Sequence, residues 1–269
     1  MQNASRIFKA FQKGGPSFGA WQMLPGRNVS RALASSGLDW ICVDCEHGNV
    51  DDAAMHEAVA AIASTGTSPL VRIPGAEGWM VKRALDSGAH GVVVPLLQTA
   101  AEVTQLVRSA KFPPRGVRGF GSPFPMGAFS AAAAASSSDV AALSQSEYLA
   151  QANEALLTII QIETAEALGA VDEIAEINGV DVLFVGPYDL GINIGHPIVE
   201  GVIDGELGAA IETVRRAAAK AGKKSGFYCT SGAQSREYAE KGFDMVSIAA
   251  DMQALPTYMG ATLRTAKGG

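Results

Sequence analysis

The chain has 269 residues, of which 48% are hydrophobic and 18% charged. That length and balance suit one large α/β domain or two small ones, with a sizeable core. A net charge of −6 without any Lys/Arg cluster argues against a nucleic-acid surface. No apolar run approaches membrane-spanning length, and the N-terminus lacks the apolar region of a signal peptide, so a soluble cytoplasmic protein is expected. Three cysteines do not make a disulfide framework. Cys42 and Cys45 spell C-x-x-C, yet Cys42 falls inside an apolar strand and no helix opens at the motif. Both are read as packing and pocket-wall thiols, with redox chemistry the minor alternative.

Strands and helices alternate along the chain. Phe18–Trp21 reads as the first strand and Asn28–Ser36 as the helix after it. Ile41-Cys42-Val43 is a short apolar run, the signature of a buried parallel strand, and it ends abruptly in Asp44, Glu46 and His47 before Gly48 and Asn49. Asp51 and Asp52 cap an alanine-rich helix to about Ser64. Pro69–Arg72 is the third strand, and Trp79–Ser87 the helix that Gly88 closes. Gly91–Pro95 and Ala100–Ala110 form the fourth pair. Thr158–Glu163 is the fifth strand, with a helix to about Ile177, and Val182–Gly186 the sixth, with a helix over about Asp204–Ala221. Ser225–Tyr228 is the seventh, its helix opened by Ser231, and Met245–Ile248 the eighth, with a last helix from about Met252.

Eight such units predict a single-domain (β/α)8 TIM barrel over residues 1–269. A doubly wound sheet is the alternative, but no G-x-G-x-x-G follows the first strand. Residues 111–150 interrupt the alternation with Pro113, Pro114, glycines, Ala131–Ala135 and Ser136–Ser138. They are read as a long loop at the barrel mouth, helical or mobile in part.

The polar residues then fall into a pattern. Asp44 and His47 come after the second strand, Arg72 ends the third, Gln161 and Glu163 end the fifth, and Asp189 comes after the sixth. All face the carboxyl-terminal mouth, where barrel enzymes keep their chemistry. Glu163 could instead cap a helix, Arg72 could be a plain salt-bridge partner, and His47 a surface turn residue. Against this, Gln161 and Glu163 share one side of their strand by period two. Two carboxylates without a fixed cation suit a hard divalent ion, which takes few protein carboxylates and fills its shell with water and substrate oxygens. Zinc would want more His or Cys, and the chain has four His. Arg72 then suits a carboxylate or developing oxyanion, and His47, with Asp44 as neighbour, a general base. His56, His90 and His196 have no such setting and are read as structural.

Asp44-x-Glu46-His47, Val71-Arg72, Gln161-Ile162-Glu163-Thr164 and Gly186-Pro187-x-Asp189-Leu190 together resemble the metal-dependent class II pyruvate aldolases of the HpcH/HpaI family. Pro114-x-Gly116-x-Arg118-Gly119, Tyr148-Leu149-x-x-Ala152-Asn153 and Asp251 extend the resemblance over nearly the whole chain. The stretches Trp21–Gly26 and Val43–Asn49 are most similar to macrophomate synthase-like members. The resemblance implies Glu163 and Asp189 as ligands of a divalent ion, Mg²⁺ first, with Mn²⁺ or Co²⁺ as alternatives. It implies that Gln161, Tyr188, Asp189 and Trp21 hold a 2-oxo acid such as pyruvate, oxaloacetate or a hydroxy-oxo acid. Arg72 is implied to stabilise an enolate oxygen, His47 to act as base, Asp44 to assist, and Asp86 to raise the basicity of the histidine.

Asp86 ends the third helix, however, at the opposite face of its own barrel. It is either a helix-end residue or one that reaches a neighbouring subunit in the homo-oligomer, hexameric with an exchanged last helix, that the resemblance implies. No strand ends in Lys, so no Schiff base is expected. The expected activity is retro-aldol cleavage of a 4-hydroxy-2-oxo acid to a pyruvate enolate. Oxaloacetate decarboxylation or enolate coupling on the same site is the alternative, and a non-catalytic oxo-acid binder the third. The chain departs from the family pattern at Tyr188, where members often have a small residue, and at the aromatic and proline-rich stretch Arg118–Pro125.

Overall fold

In the computed structural model, which describes residues 1–135 and 142–268, eight parallel strands close into a barrel in the order β1 to β8. The strands are β1 Ser17–Gln22, β2 Trp40–Asp44, β3 Ser68–Arg72, β4 Gly91–Val94, β5 Leu157–Ile162, β6 Val182–Val185, β7 Lys224–Phe227 and β8 Met245–Ala250. The helices are α1 Arg6–Lys13, α2 Arg27–Ala34, α3 Asp52–Ala63, α4 Gly78–Asp86, α5 Ala100–Ala110, α6 Phe124–Ala134, α7 Gln145–Ala155, α8 Ala165–Gly169, α9 Val171–Glu176, α10 Pro187–Asn193, α11 Gly205–Lys220, α12 Gly232–Glu240 and α13 Asp251–Ala266. The expected (β/α)8 TIM barrel is therefore the observed fold. The helix expected up to Ile177 is two short helices, broken at Ala170.

The strands are buried on both faces, which is why they read as unbroken apolar runs. Alternate residues serve different layers. Trp40 and Cys42 fill the barrel with Leu70, Val93, Ile159 and Phe184. Ile41 and Val43 face the shell of helices outside. Trp40 has room only because Gly19 stands beside it on β1; a Cβ there would lie 2.0 Å from the indole ring.

The amino-terminal end of the barrel is closed by α1, an element absent from the sequence reading. Ser5 caps it, Ile7 enters the barrel core, and the Ile7 N–H donates to Ser68 Oγ at 3.1 Å. The segment expected at the mouth lies at this same end. A stretch joining a helix to the next strand must do so, because α5 has already carried the chain back down. Phe129 of α6 stacks on His90, just before β4, with ring centroids 4.2 Å apart. The Met1 ammonium donates to Gln151 of α7 at 2.6 Å. Among the described residues of 111–150, α6 and the first part of α7 therefore pack under the barrel; Ala131–Ala134 belong to α6, and Ser136–Ser138 lie outside the described residues. Arg118–Pro125 go with them, since Arg118 Nη2 donates to Asp86 Oδ1 at 2.7 Å at the foot of α4.

At the other end of the chain, α13 leaves β8 with Met252, Leu255, Tyr258, Met259 and Leu263 exposed. No helix among the described residues is long and apolar enough to cross a membrane.

His90 gives the amino-terminal end a pH signature. It is fully buried, hydrogen-bonded through Nδ1 to Ser68 Oγ at 3.2 Å, and its pKa is lowered to about 3 by burial and by the nearby N-terminal ammonium. The unfolded chain, with an ordinary imidazole, binds the proton first as pH falls. His90 should therefore cost stability progressively from about pH 6.5 toward pH 3. Urea unfolding across that window should give a shallower acid slope for His90→Gln than for the natural chain; identical slopes would refute the assignment.

Candidate active site

The site is assembled where β2 and β3 end side by side. Asp44 and Arg72 are register partners. Arg72 Nε donates to Asp44 Oδ1 at 2.9 Å and Nη2 to Asp44 Oδ2 at 2.6 Å, a two-pronged pair. Asp44 is buried and Arg72 is 9% exposed. Burial alone would lower the arginine pKa, but the hydrogen bonds and charge of Asp44 outweigh it and raise it. The guanidinium carbon also sits 4.5 Å from the Trp21 ring centroid. Its remaining nitrogen, Nη1, lies 3.2 Å from Glu46 Oε2 and 3.5 Å from Gln161 Oε1, and Arg72 lines the cavity at the mouth.

Asp44 does not meet the His47 imidazole, the neighbour on which the expectation of a base rested. Its Oδ1 accepts the backbone N–H groups of Glu46 and His47 at 3.1 and 3.2 Å, so it shapes the turn and clamps Arg72. The carboxylate near the imidazole is Glu46, with Oε2 3.7 Å from His47 Nε2. The His47 side chain is 57% exposed at the rim. Glu46 has its pKa raised chiefly by burial; Arg72 and His47 oppose that, and Asp44 and Asp189 add to it. Glu46 was not among the expected site residues, although its spacing of two from Asp44 was visible.

Gln161 and Glu163 stand together as their spacing implied, the Gln161 amide donating to Glu163 Oε2. Glu163 Oε1 accepts the Leu96 N–H at 2.8 Å. Leu96 adopts φ +59°, a conformation rare for leucine, and nothing in the sequence signals it. Gly186 lies so close that a Cβ would stand 2.8 Å from Glu163 Oε2. Glu163 is 2% exposed, and no ion pair reaches it among the described residues. Burial raises its pKa, the Leu96 and Gln161 hydrogen bonds lower it, and the charges of Glu46 and Asp189 raise it again. Asp189 lies in the first turn of α10 and lines the same cavity.

A buried carboxylate repelled by its anionic neighbours and lacking a cation fits a hard divalent ion. No cluster of three or more His, Cys, Asp or Glu able to hold a metal occurs among the described residues. Glu163 and Asp189 would be the protein's two donors, a number that suits Mg²⁺ or Mn²⁺.

Asp44, His47, Arg72, Gln161 and Asp189 line a cavity of about 320 Å³, at the small end of the range for ligand pockets, with Glu163 hydrogen-bonded to Gln161. Its other side is aromatic, formed by Trp21, Phe184, Tyr188 and Tyr228. Trp21 is buried, and its indole N–H has no acceptor among the described residues. Asp251 fixes the loop after Trp21, accepting the N–H groups of Met23 and Leu24 at 3.0 Å each. A larger groove of about 870 Å³ runs down the barrel flank between α11 and α12. Its cations are already paired, Arg215 with Glu212 and Lys241 with Glu237; it shares Pro187, Tyr188 and Tyr228 with the mouth cavity but none of the charged groups or Gln161.

The remaining expected residues are accounted for elsewhere. Asp86 sits at the opposite end, held by Arg118 and by Lys82 Nζ at 2.9 Å, so this chain does not bring it to its own cavity. His196 pairs with Asp204 at 2.7 Å, away from the site. The cysteines are free; burial raises the Cys42 pKa and pushes Cys45 and Cys229 up to about 12, against thiolate chemistry.

Breaking the clamp tests its weight. Asp44→Ala strands a buried guanidinium and should cost about 3–5 kcal/mol. An exposed pair would cost less than about 1 kcal/mol. Equilibrium urea unfolding distinguishes the two.

Residues 18–256 match the model of the family described as HpcH/HpaI aldolase/citrate lyase. A hydroxypyruvate/pyruvate aldolase of Rhizorhabdus wittichii is 33% identical over 251 residues, 93% of this chain and 94% of that protein. A crystal structure of an HpcH/HpaI aldolase/citrate lyase family protein from Burkholderia cenocepacia J2315 superposes with a TM-score of 0.84 at 32% identity, covering 98% of this chain and 99% of that one. Macrophomate synthase shares the fold, with a TM-score of 0.83 at 24% identity over all of this chain and 91% of the other. Matched along nearly its whole length by family model, relative and structure alike, the chain belongs to the HpcH/HpaI aldolase/citrate lyase family.

Proposed function

We propose that the chain is a metal-dependent carbon–carbon lyase of aldolase type, cleaving a 4-hydroxy-2-oxo acid to pyruvate and an aldehyde, and reversibly adding pyruvate to an aldehyde. The observation that carries this reading is the convergence of Arg72, Gln161, Asp189 and His47 at one small cavity, with Glu163 hydrogen-bonded to Gln161. The name borne by the Rhizorhabdus relative, hydroxypyruvate/pyruvate aldolase, supports it.

Held by Glu163 and Asp189, a divalent ion, Mg²⁺ first, would supply Lewis-acid charge to the keto oxygen of a 2-oxo acid. Gln161, fixed between Arg72 and Glu163, orients the acid. His47, at the rim, takes the proton of the 4-hydroxyl group as the bond between carbons 3 and 4 breaks. The electron pair passes into the pyruvate enolate, and the aldehyde leaves. Arg72, which lines the cavity, meets through Nη1 the negative charge that develops on the enolate oxygen, a charge-assisted contact that matters most in the transition state. Glu46 keeps the imidazole and Nη1 in reach of one another. A proton returned to carbon 3 completes pyruvate.

A cytoplasmic homo-oligomer belongs to this reading. The apolar stripe of α13 is a surface that an exchanged helix would cover in a partner subunit. Asp86, paired with Arg118 and Lys82, reads as an anchor of the segment under the barrel.

Two measurements test the chemistry. Chelation should abolish pyruvate release from hydroxy-oxo acids, and Mg²⁺, Mn²⁺ or Co²⁺ should restore it; full activity of metal-free protein would overturn the proposal. His47→Ala should lower turnover about 10²–10⁴-fold while calorimetry still detects the ion. Loss of the ion with the imidazole would make His47 a ligand and not the base.

A further inference from the structure

We propose that the acceptor aldehyde of this site is uncharged and aromatic or apolar, and that Tyr228, set between Trp21 and Tyr188, selects it. The inference rests on the aldolase reading above and names the second substrate, which that reading leaves open.

The cavity has two chemically distinct sides. One carries Asp44, His47, Arg72, Gln161 and Asp189. The other is a run of rings locked edge to face. Trp21 meets Phe184 at a centroid distance of 5.8 Å and 66°, and Tyr228 at 5.7 Å and 65°. Tyr228 meets Tyr188 at 6.2 Å and 73°. Each ring holds the next, so the wall presents a fixed aromatic surface and not a collapsible one. The pyruvate end must occupy the polar side, because the Gln161 carboxamide and the proposed donor Asp189 are there, with Glu163 bonded to that carboxamide. What remains for the acceptor is the ring side.

The balance of charge decides what that side accepts. The cavity lining includes one guanidinium, Arg72. Both oxygens of Asp44 engage it, and Glu46 lies 3.2 Å from its remaining nitrogen. Four carboxylates, Asp44, Glu46, Glu163 and Asp189, act within reach of one another around it. The cations of the neighbouring flank groove, Arg215 and Lys241, are paired with Glu212 and Glu237. An aldehyde bearing a second carboxylate would therefore place that charge against aromatic rings, where among the described residues no Lys or Arg side chain other than the engaged Arg72 lines the cavity, the proposed ion being taken up by the 2-oxo acid. A neutral ring would instead stack on the wall. Tyr188 extends the same surface from the first turn of α10.

The chemistry needs no further reactant. In the synthetic direction carbon 3 of pyruvate gives up a proton, bonds the aldehyde carbon, and the aldehyde oxygen gains a proton.

The test uses the full chain with Mg²⁺, pyruvate in excess, and two acceptors, benzaldehyde and succinic semialdehyde. Exchange of the pyruvate methyl protons with deuterium, measured without aldehyde, reports enolate formation on the same preparation. The natural protein should favour benzaldehyde in kcat/KM by about tenfold or more. Tyr228→Lys should reverse the ratio, and Tyr228→Phe should keep it, each normalised to the exchange rate of its own sample. Tyr228→Leu, a milder change for folding, should erase most of the aromatic preference. Normal exchange with equal or better use of the semialdehyde by the natural protein would overturn the acceptor assignment alone. Absence of exchange with any divalent ion would overturn the aldolase reading, and this inference with it.

Discussion

The site depends on one ion pair, the fork of Arg72 on Asp44. It joins neighbouring strand ends at 2.9 and 2.6 Å, in a place too buried for water to substitute. From it a chain of contacts runs round the mouth. Arg72 reaches Gln161, Gln161 donates to Glu163, and Glu163 accepts the Leu96 N–H. Four strands are thereby tied through polar side chains above a core that is otherwise apolar. Because Asp44 also holds the backbone of Glu46 and His47, the same residue sets where the rim imidazole stands. Rigid placement of this sort is what lets a small cavity hold reacting groups in one geometry.

The fork also explains the electrostatic character of the cavity. Its one guanidinium is engaged locally by Asp44 and Glu46, leaving Glu163 and Asp189 unbalanced. A low-dielectric pocket magnifies that imbalance. The fold tolerates Glu163 in part through neutral hydrogen bonds, one of them from a leucine whose backbone is itself strained. Strain at Leu96 and repulsion at Glu163 are thus coupled features, concentrated where a cation and an anionic substrate would meet.

Much of this was legible in the residues. Parallel strands buried on both faces show as Ile41-Cys42-Val43 or Val182–Val185, and the residues just after each run must sit at the mouth. That logic placed Arg72, Gln161, Glu163 and Asp189. It failed where geometry depends on a turn and not on a strand. Asp44 and Glu46 are both acidic and two apart, and only the backbone path decides that Glu46 meets the imidazole while Asp44 turns to Arg72. The Leu96 conformation has no residue-type signature at all. The long segment after α5 was misplaced for a different reason. Its composition suggests a lid, but connectivity outranks composition, and a helix-to-strand link belongs at the amino-terminal end.

The position of this segment bears on how the two ends of the barrel divide their work. The amino-terminal end is closed by neutral or locally paired groups: Ile7 in the core, Ser68 between Ser5 and His90, and Phe129 stacked on the imidazole. Its charges are paired locally, Asp86 with Arg118 and Lys82, so extra chain can be added there without moving a charge at the mouth. The carboxyl-terminal end carries crowded carboxylates, a rim imidazole and a strained leucine. An insertion there would have to rebuild the contacts that run from Asp44 to Leu96. The helices α6 and α7 therefore sit where the barrel can bear them, and the aromatic wall that shapes the cavity comes from the strands and the turn just beyond β6: Trp21 in β1, Phe184 in β6, Tyr188 opening α10 and Tyr228 after β7.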